Sequence, residues 1–155
     1  MRFRAAMLCV SVLVACRDGA KAPEPVVAAE PASEFALSWT VSHPHWGTEA
    51  LLLRRDGTLR LLLTRPGSRE AASETRLTDD ELRAIETRLR EAQPCGLAAS
   101  TRPGKPNESR PTLTLNFASM ACSKTQWFDE WRTNESARPV AEIIAALRSK
   151  AAHAE

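Results

Sequence analysis

The stretches FALSWTVS (35–42) and LLLRRDGTLRLLL (51–63) decide the fold. The first alternates apolar and polar residues without a break. A period of two gives a strand one buried face and one wet face. The second places leucine runs on either side of Asp56-Gly57, with Leu51, Leu52 and Leu53 before it and Leu59, Leu61 and Leu63 after it. Leucine alone suits helix or strand. Asp-Gly between apolar runs decides for a hairpin, because both turn residues tolerate positive φ.

Working outward toward the C-terminus, Thr78-Asp79-Asp80-Glu81 reads as a helix start. Thr78 can cap the free backbone N–H groups and Glu81 can reach back, forming a capping box. The acidic trio sits at the positive end of the helix dipole, which accounts for it without metal or catalytic chemistry. Leu82, Ile85, Leu89 and Ala92 then mark one helical face, and Pro94 ends the helix. Ala98 to Pro111 is rich in Pro, Gly, Ser, Asn and charge and reads as a surface loop. Thr112 to Ala118 alternates again, a turn near Ser119 to Ala121 follows, and a last strand is expected over about Cys122 to Phe128. Pro139 suits the first turn of a final helix whose buried stripe is Val140, Ile143, Ile144 and Leu147.

The order β-β-β-α-β-β-α implies antiparallel pairing and two one-sided helices that need a common surface. The expected fold is α+β, a two-layer sandwich with an antiparallel sheet of about five strands and two helices on one face. The alternative is a more curved, barrel-like sheet with one helix plugging an end. The single domain should span 35–151.

Before it, MRFRAAMLCVSVLVAC (1–16) places Arg2 and Arg4 ahead of an apolar run from Ala5 to Ala15. A helix of that length covers about 16 Å, short of a hydrocarbon core of about 30 Å. A basic start followed by a short apolar run is the layout of a secretory signal peptide. Leu13-Val14-Ala15-Cys16 resembles the lipobox of bacterial lipoproteins. That resemblance implies a signal peptide over 1–15, cleavage before Cys16 and acylation of Cys16, which anchors the chain to a membrane through lipid. Arg17, with no Asp directly after the cysteine, implies the outer membrane of the bacterial cell envelope before the inner one. Residues 16–34 then form the lipidated cysteine and a Pro-, Ala- and Glu-rich tether, punctuated by Pro23, Pro25 and Pro31.

The chain has 155 residues, with 21 basic against 19 acidic side chains. Without Arg2 and Arg4 the two are equal, so counterion release offers little and no nucleic-acid partner is expected. An apolar content of 43% is enough for a packed core.

Cys9 leaves with the leader and Cys16 is the acylation site. Cys95 and Cys122 remain, an even pair in an oxidising compartment, and a disulfide between them is expected. A catalytic thiol would need a neighbouring base, and none is apparent in the sequence.

His43-Pro44-His45 puts two imidazoles two residues apart, a spacing that aims both to one side of an extended segment and could hold Zn or Cu. The other reading is a polar turn, with Pro44 and Gly47 as turn residues. A third ligand is missing, since His153 lies in the C-terminal tail, so no metal or other cofactor is expected. Four tryptophans and no tyrosine are unusual. Trp39 belongs to a strand face. Trp46, Trp127 and Trp131 either cap the core or form a binding patch.

HExxH, GxSxG, GxxxxGK, GxGxxG and CxxC are absent from the sequence, so no catalytic residue is nominated and no enzyme is expected. The leading functional reading is an envelope lipoprotein whose domain binds an envelope protein or peptide, with Trp46, Trp127 and Trp131 as candidate contacts. The order of elements also resembles small α+β inhibitor domains of secreted peptidases, which implies a periplasmic inhibitor as an alternative. A metal-binding domain using His43 and His45 is the third reading.

Overall fold

A computed structural model of the chain describes residues 35–104 and 107–154. The expected leader, Cys16 and the tether lie outside the described residues. The elements run β1 (Ala36–His43), β2 (Gly47–Leu53), β3 (Thr58–Thr64), β4 (Ala71–Arg76), α1 (Asp79–Ala92), a 3-10 turn (Pro94–Gly96), β5 (Thr112–Phe117), β6 (Met120–Thr125), α2 (Phe128–Thr133) and α3 (Arg138–Ala152). The six strands form one antiparallel sheet in the order β4-β3-β2-β1-β5-β6. β4 and β6 lie at its two edges, so the sheet is open and the barrel-like alternative does not apply.

The register explains the layers. Leu37 faces Leu53 on one side and Leu115 on the other, and Trp39 faces Leu51 and Leu113. Leu51 in turn faces Leu61. All of these are buried. They therefore share one face of the pleat, and the intervening polar residues take the other. Leu82 and Leu89 of α1 join them, as do Val140, Ile143, Ile144 and Leu147 of α3, in a single core cluster. The fold is α+β with helices packed on one sheet face. Among the described residues no helix is long and apolar enough to cross a membrane.

The capping box forms as the sequence indicates. The Glu81 backbone N–H donates to Thr78 Oγ1 at 3.3 Å, and the Thr78 N–H donates to Glu81 Oε2 at 2.9 Å. Glu81 also accepts from Lys150 Nζ in the last turn of α3, so one carboxylate closes α1 and ties it to α3. That ammonium, with the Thr78 N–H next, holds the Glu81 carboxyl below the ordinary glutamate range. Cys95, in the 3-10 turn, and Cys122, on β6, lie at disulfide distance with Cα atoms 5.7 Å apart.

Several expectations need correction. The sheet has six strands, not five, because AASETR (71–76) forms β4. The last strand is Met120–Thr125, two residues earlier at its start than expected, and Phe128 opens α2 instead of ending a strand. Among the described residues there are thus three α-helices in place of two. At the β2–β3 hairpin only Gly57 takes positive φ, 82°. Asp56 instead accepts the Thr58 N–H at 3.0 Å. The Gly57 N–H donates to the Arg54 carbonyl at 3.0 Å and the Arg54 N–H to the Thr58 carbonyl at 2.9 Å, closing a three-residue loop. In the β1–β2 hairpin Gly47, with φ 91°, lies so close to β3 that a Cβ would stand 1.8 Å from the Thr64 carbonyl oxygen.

Candidate binding groove

Where the C-terminal end of β1 and the N-terminal end of β2 project past the core, α2 and α3 leave a groove of about 1040 Å³. Trp39 and Val41 from β1, Leu63 from β3 and Ile144 from α3 contribute its apolar lining. Trp131 lies edge-on to Trp39, with ring centroids 5.0 Å apart and planes at 74°. Such a pair contributes about 0.5–1.5 kcal/mol beyond its buried area. Two large apolar side chains on the groove lining reach solvent: Trp46, at the tip of the β1–β2 hairpin and 76% exposed, and Phe128, at the start of α2 and 44% exposed.

The hairpin tip is held in place through its histidines. His43 Nε2 donates to the Asn107 carbonyl at 2.7 Å, while its Nδ1 accepts the His45 backbone N–H at 3.1 Å. In this pattern Nε2 is the donor and Nδ1 the acceptor. His45 Nε2 meets the Asn107 side-chain oxygen at 3.1 Å. The two rings lie 5.7 Å apart, and Trp46 is 6.1 Å from His43. Both nitrogens of His43 are thus engaged, and no group of three or more His, Cys, Asp or Glu among the described residues could hold a metal ion. Among the described residues neither histidine is bonded to a hydroxyl or carboxylate side chain.

Electrostatically the groove lining is mixed, with more cationic than anionic side chains. Arg65, Arg132, Arg138 and Arg148 line it with Glu49 and Glu142. Arg148 donates to Glu49 Oε2 at 2.6 Å, linking α3 to β2.

The tryptophans named by the sequence separate. Trp46 stands exposed at the groove. Trp131 is 1% exposed and belongs to the core cluster, where it lines the groove beside Trp39. Its position follows from α2, which turns its ring inward where a continued strand would have left it on a face of the sheet. Trp127 is half-buried and does not line the groove. Its ring lies under the guanidinium groups of Arg102 and Arg110, at 5.1 and 4.7 Å, and its Nε1 donates to the Arg102 carbonyl at 3.1 Å.

Arg102 is in turn held by Glu108, Asp129 and Glu130. The hydrogen bonds to Glu108, and next to Asp129, hold its guanidinium more firmly protonated than usual. Ser100 Oγ donates to Glu130 Oε1 at 2.9 Å, and the Phe128 N–H donates to the Ser109 carbonyl at 3.1 Å. The segment expected to be a plain surface loop is therefore fastened to α2, and it braces the helix that carries Phe128 and Arg132.

Sequence reasoning missed Val41, Leu63, Phe128, Arg132 and Arg138 as groove residues. Phe128, Trp131 and Arg132 stand at helical spacing i, i+3, i+4, the one signal that could have joined them. No protein-family model matches the chain, and no curated protein matches it.

Proposed function

We propose that the chain is a lipid-anchored lipoprotein of the bacterial envelope whose domain is a non-enzymatic module, binding an envelope protein or peptide in the groove. The single observation that carries the binding reading is the groove itself: an apolar, aromatic lining with two exposed large side chains, Trp46 and Phe128. Exposed aromatics around an apolar cleft are common energetic anchors of recognition. The anchor rests on Leu13-Val14-Ala15-Cys16, and the outer membrane on Arg17 after the cysteine.

Two measurements test this reading. Intact mass of the native protein should give a chain starting at Cys16 with added acyl mass; an unacylated chain retaining Arg2 refutes the anchor. Affinity capture from native envelopes with the full chain should recover one dominant partner that Trp46→Ala releases. Capture unchanged by Trp46→Ala refutes the groove.

A peptidase-inhibitor role is the second reading, favoured by one observation: Trp46 crowns a hairpin tip held rigid by two histidines. A peptidase as the captured partner would establish it.

A further inference from the structure

We propose that the occupant of the groove is an extended acidic peptide segment carrying a large apolar side chain. The inference rests on the groove being the binding seat and adds the chemistry of what sits there.

Charge supplies the first argument. Four arginines line the groove against two glutamates. Arg148 is held by Glu49. Arg138 reaches Glu142 only at 4.0 Å, with both side chains more than 60% exposed, and such a pair contributes little. Arg65 and Arg132 have no carboxylate at ion-pair distance among the described residues. Arg65 follows β3 in the sheet layer and Arg132 stands on α2 in the helix layer, so cations come from both walls. Guanidinium forks match carboxylates with two parallel bonds, which favours Asp and Glu side chains lying along the groove.

Size and polarity supply the second. At about 1040 Å³ the groove lies at the upper end of the roughly 300–1,000 Å³ of small-ligand pockets. Trp39, Val41, Leu63 and Ile144 give a large apolar side chain a place to bury, while Thr64 and Ser68 put polar groups along the same surface. An acyl chain would leave those polar groups dry and unpaired, whereas peptide amides can bond them.

The test uses the full chain in neutral detergent and three fluorescein-labelled heptapeptides with the same central Phe, flanked by Glu and Asp, by Gln and Asn, or by Lys. Anisotropy should show the acidic peptide binding about tenfold tighter than the amide peptide, close to 1.4 kcal/mol. That advantage should shrink as salt rises from about 50 to about 300 mM, because exposed charges are screened. Arg65→Gln and Arg132→Gln, both at exposed positions, should remove most of that advantage. Equal binding of acidic and amide peptides overturns the acidic occupant and leaves the groove reading standing. Binding of none of the three peptides overturns the groove reading itself.

Discussion

Gly104 stands against the indole of Trp127, and substituting it tests how the groove wall is braced. A Cβ built on Gly104 would lie 2.1 Å from one indole carbon and 2.5 Å from another. Gly104 is not among the positive-φ glycines, so alanine meets no backbone strain there, only the ring. In Gly104→Ala the indole must leave its place. It then gives up the hydrogen bond to the Arg102 carbonyl, about 1 kcal/mol. It also gives up its contacts with Arg102 and Arg110, about 0.5–1 kcal/mol each at partly exposed sites. Against this loss of about 2–3 kcal/mol stands a gain of about 0.4–1 kcal/mol from a less flexible unfolded chain. The net expectation is destabilisation by about 2 kcal/mol. With Trp127→Ala already present, the clash is gone and Gly104→Ala should become neutral or slightly stabilising. Urea unfolding of the four proteins in this double-mutant cycle gives the coupling from the shift in midpoint at constant slope. If Gly104→Ala costs the same with and without Trp127, the indole is not the obstacle and the bracing argument is wrong.

Other substitutions probe the rest of the structure. Converting Cys95 and Cys122 together to alanine opens a loop with a sequence separation of 27. The chain-entropy argument then gives a loss of roughly 3–4 kcal/mol, read as a lower denaturant midpoint than that of the oxidised protein. Trp131→Ala should cost about 3–5 kcal/mol because the ring is buried in the core, whereas Trp46→Ala should change stability by less than about 0.5 kcal/mol. Equal thermal shifts for these two variants would refute the assignment of one to the core and the other to the surface. Glu81 has its carboxyl pKa depressed by Lys150 and Thr78, so its stabilisation is fully present above the ordinary glutamate range and is lost as pH falls through the depressed value. Glu81→Gln should therefore flatten the acid limb of the melting-temperature profile, and an unchanged acid limb would count against the link between α1 and α3.

The order of the core elements was legible because each carries a local signal that its environment reinforces. β1 alternates because one of its faces meets the helices and the other meets water. α1 announces its start through Thr78 and Glu81, which bond each other as their side chains allow. β4 was hidden because an edge strand needs little burial. Its residues are polar or small and mostly exposed, and its strand form comes from pairing with β3. α2 was hidden by its length of six residues, too short to show a helical period. Its start depends on Glu130, whose carboxylate accepts the Trp127 backbone N–H at 3.0 Å, a cap without the usual Ser, Thr, Asp or Asn. Trp131 lies beyond the strand expected from the sequence, and its inward direction follows from this short helix.

The groove was the least legible feature. His43, Trp46, Leu63, Phe128 and Ile144 come from five parts of the chain, and only the sheet register and the α2–α3 packing bring them together. Trp46 could be nominated because an exposed-looking aromatic in a turn is itself a local signal. Arg65 and Arg132 could not, because the sequence holds 17 arginines and no local pattern distinguishes those two.

The most direct test of the binding reading is site-specific photocrosslinking in native envelopes. Benzoylphenylalanine would replace Trp46 or Phe128 at the groove, and Thr40 or Thr114 on the sheet face opposite the helices as controls. The expected result is one crosslinked partner from Trp46 and Phe128 and none from Thr40 or Thr114. Crosslinks from the sheet-face positions alone would contradict the groove as the seat of function.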